Sequence, residues 1–188
     1  MIAVVAALAS SCQKNDSKPN PVDFPRMEIK NLHDAEIAEG QFQLLDLDQD
    51  GTNDIIFNTW LIGDPLDQED ELLFFAGSST STSLLVDHNN GSPRFSTGDV
   101  ISVSGIAGHD WYAVSQVELA LRNTGLTGNP YWELQWKDAT HKFLGVQVRR
   151  NGRLYNGWVE LSMNAQQSKL ILHRMAISTE PDRNVKAG

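Results

Sequence analysis

The chain has a single cysteine, Cys12, among 188 residues. No disulfide can form within it, and no second thiol is available for redox exchange or for a thiolate metal site. Basic clusters are also missing. With 15 basic against 24 acidic residues and a formal charge of -9, no stretch offers a track for phosphates, which argues against nucleic acid and against adsorption to an anionic lipid surface. The apolar run at the start, Ile2 to Ala9, is far short of the roughly 20 residues that span a bilayer. No window holds a sustained helical period, which excludes an all-helical fold. The five histidines, His33, His88, His109, His141 and His173, show neither HxH nor HExxH spacing, and no GxSxG elbow is present. The usual sequence marks of zinc peptidases and of α/β-hydrolases are therefore absent.

What is present at the N-terminus reads as a leader. Residues 1–11, MIAVVAALASS, are largely apolar and end in small residues directly before Cys12, the composition of a secretory signal rather than of a folded element. Leu8-Ala9-Ser10-Ser11-Cys12 resembles the lipobox of bacterial lipoproteins, which implies that Cys12 is acylated and becomes the new N-terminus. No Lys or Arg precedes the apolar run, so the expectation is that the true start lies upstream. Residues 12–25, CQKNDSKPNPVDFP, are polar and proline-rich and read as a flexible tether. The QKND after Cys12 is similar to the short charged signals that send some lipoproteins of Bacteroidota to the outer face of the outer membrane. The implied location is the outer membrane, lipid-anchored, on its periplasmic or cell-surface side.

Residues 26–188 read as one domain, large enough to bury a core without staples. From Gly40 onward, short runs rich in Val, Ile, Leu, Phe, Tyr and Trp alternate with turn residues, giving strands at 41–47, 54–62, 71–76, 83–87, 100–104, 112–121, 131–137, 142–149, 154–162 and 169–177. Alternating strands have one apolar face to bury, and a second sheet covers it. The expected fold is all-β, a two-layer antiparallel β-sandwich of jelly-roll or lectin-like kind. Asn151-Gly152 supplies the two positive-φ residues of a type I′ hairpin, with Leu144, Val146 and Val148 on one face of the strand before it. GSSTSTS at 77–83 and TGLTGNP at 124–130 read as exposed loops, and HDAEIAEG near His33 as one or two helical turns.

The stretch DLDQDGTNDIIF, Asp46 to Phe57, carries the clearest chemistry. Calcium takes six to eight oxygens, and a short loop wraps it when carboxylates recur at every second residue and a glycine permits the sharp turn. Asp46, Asp48 and Asp50 have that spacing, Gly51 stands at the turn, Thr52 offers its carbonyl and Asp54 the ninth-position carboxylate. Phe57 stands where an EF-hand needs a bidentate Glu, and the flanks read as strands, so an EF-hand is excluded. The stretch resembles the DxDxDGxxD calcium loops of secreted β-proteins, which implies a structural calcium ion. Its plain alternative is a solvated acidic turn. The sequence shows no partnered His and no carboxylate set apart to hold a proton, so acid and base have no separate roles there and catalysis is disfavoured.

Aromatic residues gather late in the chain, and Trp111, Tyr131 and Trp132 are the candidates for stacking on a sugar; core packing is the competing role. His109 and Asp110, as sequence neighbours in a strand, point to opposite faces and cannot orient one another. FLGVQVRRNGRLYNGWVELSM followed by LHRMAISTEPDRNVKAG resembles a C-terminal β module of secreted proteins of Bacteroidota and of PEP-CTERM-type bacteria. Gly157-Trp158-Val159 with Leu161, then Pro181 and Ala187-Gly188, carry the match, while Asn156 and Glu160 depart from its usual Tyr and Arg. The resemblance covers about the last 46 residues and implies a terminal hairpin, a final strand and no sorting domain beyond it. The sequence thus leads to a lipid-anchored, non-enzymatic β-sandwich with a calcium loop and an extracellular ligand such as a glycan. The alternatives are a polysaccharide hydrolase using Glu118 and Glu133, and a purely structural surface protein that binds other protein chains.

Overall fold

The computed structural model describes residues 23–66 and 68–188. Cys12, the leader and most of the tether lie outside the described residues. The chain forms β1 (Met27–Ile37), β2 (Gln43–Leu45), β3 (Ile55–Asp64), β4 (Glu69–Ser78), β5 (Thr82–Val86), β6 (Val100–Ile101) and β7 (Asp110–Ala113). It continues through β8 (Gln116–Gly125), β9 (Tyr131–Glu133), β10 (Lys142–Arg150), β11 (Arg153–Asn164), β12 (Lys169–Ser178) and β13 (Val185–Lys186).

Two antiparallel sheets form the expected sandwich. One has the order β1-β12-β11-β10-β5-β7 and the other β2-β3-β4-β8-β9. Period-two alternation puts Leu144, Val146, Val148, Val159, Leu161 and Leu172 of the first sheet against Leu45, Ile55, Phe57, Leu72, Phe74 and Leu119 of the second, in one buried cluster. The hairpin at Asn151-Gly152 has both residues at positive φ, 50° and 76°, and pairs Arg150 with Arg153 as the type I′ turn requires.

The six-stranded sheet is covered over part of its other face as well. Segments around β6 and β13, which pair with each other, lie over it and bury Leu85, Phe95, Ile101, Phe143, Trp158, Val185 and Ala187 in a second cluster. Buried amides hold this cap down. Gln147 Nε2 donates to Val103 O at 3.1 Å and Asn156 Nδ2 to Ile101 O at 3.2 Å. Trp158 Nε1 donates to Lys186 O at 3.1 Å, and its ring meets Phe143 edge-on at 5.0 Å.

Three expectations are corrected. HDAEIAEG is not helical: His33 and Asp34, at φ 57° and 53°, form an irregularity inside β1, which otherwise pairs with β12. The run 112–121 is two strands, because Val114 at φ 52° breaks it and the chain passes from one sheet to the other. The run 131–137 stops at Glu133, since Leu134 takes φ 68° and turns Trp136 inward, where its Nε1 donates to Ser92 O at 3.0 Å.

Candidate functional site

Between β2 and β3 the chain closes a loop on itself. Leu45 pairs with Ile55, Asp54 N donates to Leu45 O at 2.8 Å, and Leu47 is buried in the core below. Within the loop each carboxylate takes a backbone N–H: Gly51 N to Asp46 Oδ2 at 2.9 Å, Asp50 N to Asp48 Oδ1 at 3.3 Å and Thr52 N to Asp50 Oδ1 at 2.7 Å. Gly51 sits at φ 89°, which a side chain would strain. The result is that Asp46, Asp48 and Asp50 bring one oxygen each within 4.8 Å of one another. Asp46 Oδ1 and Asp48 Oδ2 are buried with no hydrogen-bond partner.

The Asp48 side chain is only 2 % exposed, and Oδ2 lies 3.2 Å from Arg150 Nε without hydrogen-bond alignment. Burial, with repulsion from Asp54 and Asp50, pushes the Asp48 carboxyl above the usual range, against the pull of Arg150. Unpaired buried carboxylate oxygens are costly, and a hard cation satisfies several at once. Asp54 does not join the three. Its Oδ2 accepts from Leu47 N at 2.9 Å and its Oδ1 from Thr82 Oγ1 at 2.6 Å, so it closes the neck of the loop. Burial pushes its carboxyl up too.

The three aromatics singled out in the sequence are not brought together. Trp111 packs under the cap and donates from Nε1 to Ser102 O at 3.1 Å. Trp132 turns to the core, its ring 6.0 Å from Phe74. Tyr131 is 47 % exposed and donates from its hydroxyl to Glu69 Oε2 at 2.9 Å. It lies on the outer face of the five-stranded sheet, where Trp60 and Ile62 are exposed as well while Leu73, Phe75 and Asn123 are buried; no strand of the other sheet covers this bare face.

Rows across the bare face follow from the register. Ile62, Glu71, Asn123 and Tyr131 form one, Trp60, Leu73, Leu121 and Glu133 the next, and Asn58, Phe75 and Glu118 a third. Trp60 is 49 % exposed and rests on Phe75 with ring centroids 4.7 Å apart. The sequence reading did not single it out: in IIFNTWLIG apolar residues occupy both parities, so the alternation does not say which side faces water. Trp60 and Tyr131 stand on strands three places apart, about 14 Å across the sheet. Glu118 and Glu133 share the face but are three positions apart along β8, about 10 Å of strand, wider than the roughly 5–9 Å of glycosidase pairs.

The chain matches no known family model, curated protein or solved structure. His109 turns toward Asp87 rather than Asp110, Nε2 to Oδ2 4.0 Å. Asp87 Oδ1 accepts from Asn89 N and Gly91 N, both at 2.8 Å, and against the push of burial these hold its carboxyl low. A carboxylate so held is a turn anchor, not a base.

Proposed function

We propose that this protein is a calcium-stabilised binding module, lipid-tethered at Cys12 to the outer membrane, that holds an extended glycan on the bare face of its five-stranded sheet. The observation that carries the reading is the contrast between the two outer faces. One is covered over much of its area by the chain's own cap, while the other leaves Trp60 half exposed. Ile62, 42 % exposed, stands beside it on the same face, and apolar surface gathered in a patch rather than scattered favours a binding role. Around the indole stand Asn58, Glu71, Glu118 and Glu133, groups that accept and donate hydrogen bonds, which is the mixture of stacking plane and polar edge that a sugar chain presents in complement. A partner protein chain would favour an apolar centre free of carboxylates.

Calcium enters as a structural ion, because it would satisfy Asp46 Oδ1, buried without a partner, and Asp48 Oδ2, which has only the unaligned Arg150 beside it, and the loop frames the start of β3, the strand that carries Trp60. The tether and anchor rest on the lipobox resemblance and the QKND stretch. The test is a glycan array probed with the soluble domain in millimolar calcium. Binding to one polysaccharide class, lost in Trp60→Ala, is the expected result. An array with no binding above background removes the glycan ligand.

A further inference from the structure

On the outer side of β1, β11 and β12, away from both the acidic loop and the bare face, a second constellation stands. Ser162 Oγ lies 2.8 Å from His173 Nε2, and His173 Nδ1 lies 2.6 Å from Asp34 Oδ1. With the proton on Nδ1, held by the carboxylate, the Nε2 lone pair faces the serine hydroxyl. That is the order of nucleophile, base and orienting group that activates a serine. His141 stacks on His173 with centroids 4.2 Å apart and planes 21° apart, and its main-chain N–H donates to Ser162 Oγ at 2.9 Å. Glu160, 7 % exposed, pairs with His141 Nδ1 at 2.8 Å and Arg174 Nε at 2.5 Å. Asp34, His141, Glu160, His173 and Arg174 are among the lining of an open pocket of about 450 Å³, and half-buried Ser162, outside that lining, meets it through its bonds to His141 N and His173 Nε2.

The backbone departs from regularity to build this arrangement. Between β1 and β12 the register jumps from Asn31–Arg174 to Ala35–Leu172, and between β11 and β12 from Glu160–Arg174 to Leu161–Leu172. Both ladders slip at His173. Consecutive residues of a regular strand point to opposite faces, yet His173 and Arg174 line the same pocket, which the bulge permits. His33, Asp34 and His141 all take positive φ, at 57°, 53° and 47°. Non-glycine residues in that region are uncommon, and their gathering around one pocket is the kind of strain found at reactive sites. A polar tie whose only task was to hold β1 to β12 would need none of this, since regular pairing does so along the rest of β1.

We propose that Ser162 is a nucleophile and that this pocket cleaves esters of small carboxylic acids, an activity independent of the glycan face. Ser162 Oγ attacks the carbonyl carbon as its proton passes to His173 Nε2. The bond from carbon to the alcohol oxygen breaks, the alcohol leaves with the proton from His173, and an acyl group remains on Ser162. Water then attacks the acyl carbon as its proton passes to His173 Nε2, the bond from that carbon to Ser162 Oγ breaks, and Oγ takes the proton back from His173 as the acid leaves. Asp34 is a positioning residue, holding the ring so that Nε2 faces the hydroxyl.

The test is labelling of the soluble domain by a fluorophosphonate probe, with the adduct located by peptide mass spectrometry. A single adduct on Ser162 is expected, absent in Ser162→Ala and formed about 100-fold or more slowly in His173→Gln. In the unaltered protein, labelling should depend on pH, and Asp34→Asn should shift that profile, which loss of a structural tie would not do. Hydrolysis of phenyl acetate should disappear in the same variants. No adduct on Ser162 in folded protein overturns the proposal, as does a folded His173→Gln that labels at the unaltered rate. If His173→Gln does not fold, a rate that is flat across the pH range overturns it instead.

Discussion

At the level of single residues, the acidic loop separates into a cluster of three carboxylates and a clasp. Asp54 was expected as the ninth-position ligand, because spacing in the sequence gives the order of carboxylates but not the direction each one turns. Its direction is set by Thr82, 28 residues away, and by the neck of the loop. Asp54→Ala strands the Leu47 N–H and the Thr82 hydroxyl, at about 1–3 kcal/mol each, so a loss of about 2–5 kcal/mol in urea unfolding is expected, and a loss below about 0.5 kcal/mol would contradict the clasp. Asp46, Asp48 and Asp50, by contrast, were legible, since every second residue with glycine following is a local pattern. Asp48 and Asp54 are both held above their ordinary value of 3.8. A carboxyl raised in the folded state binds its proton more tightly there, so the stability it contributes is full below the unfolded value and is lost as the pH rises through the folded one. Asp48→Asn should therefore raise the melting temperature of chelator-treated protein at neutral pH while abolishing any gain from calcium. In the unaltered protein, calcium at ten times its dissociation constant should add about 1.4 kcal/mol, and an identical response to calcium in both proteins would show that Asp48 is no ligand.

At the level of elements, local signals were legible and irregular ones were not. The β10–β11 hairpin followed from Asn151-Gly152 and the alternation before it, both confined to a few residues. β1 was missed because its pairing is interrupted at Asn31 to Ala35, where His33 and Asp34 turn into the left-handed region and mimic a helical turn in composition. The break at Val114 was hidden because a valine gives no turn signal. Gly157, in the stretch that carries the C-terminal resemblance, has a plain physical role: a Cβ there would lie 2.3 Å from Ala176 O, so only glycine lets β12 approach. Gly157→Ala should cost about 3 kcal/mol or more by overpacking, seen as a lower denaturant midpoint. An unchanged midpoint would mean that the two strands separate freely. Asn156 and Glu160, the departures from that resemblance, each have work in this chain, on Ile101 O and on Arg174.

At the level of the whole molecule, the sandwich was legible and its third layer was not. The cap forms through contacts such as Trp158 with Lys186 and Asn156 with Ile101, 28 and 55 residues apart, which no local pattern announces. That cap gives the molecule its asymmetry, one outer face covered over much of its area and the other left open around Trp60. The most direct test is affinity electrophoresis through gels cast with soluble polysaccharides, in calcium, comparing the domain with Trp60→Ala and with Tyr112→Ala, whose ring is 54 % exposed but stands on the other sheet. Retardation of the unaltered domain and of Tyr112→Ala by at least one polysaccharide, with free migration of Trp60→Ala, is the predicted result; equal retardation of all three, or none in any gel, would contradict it.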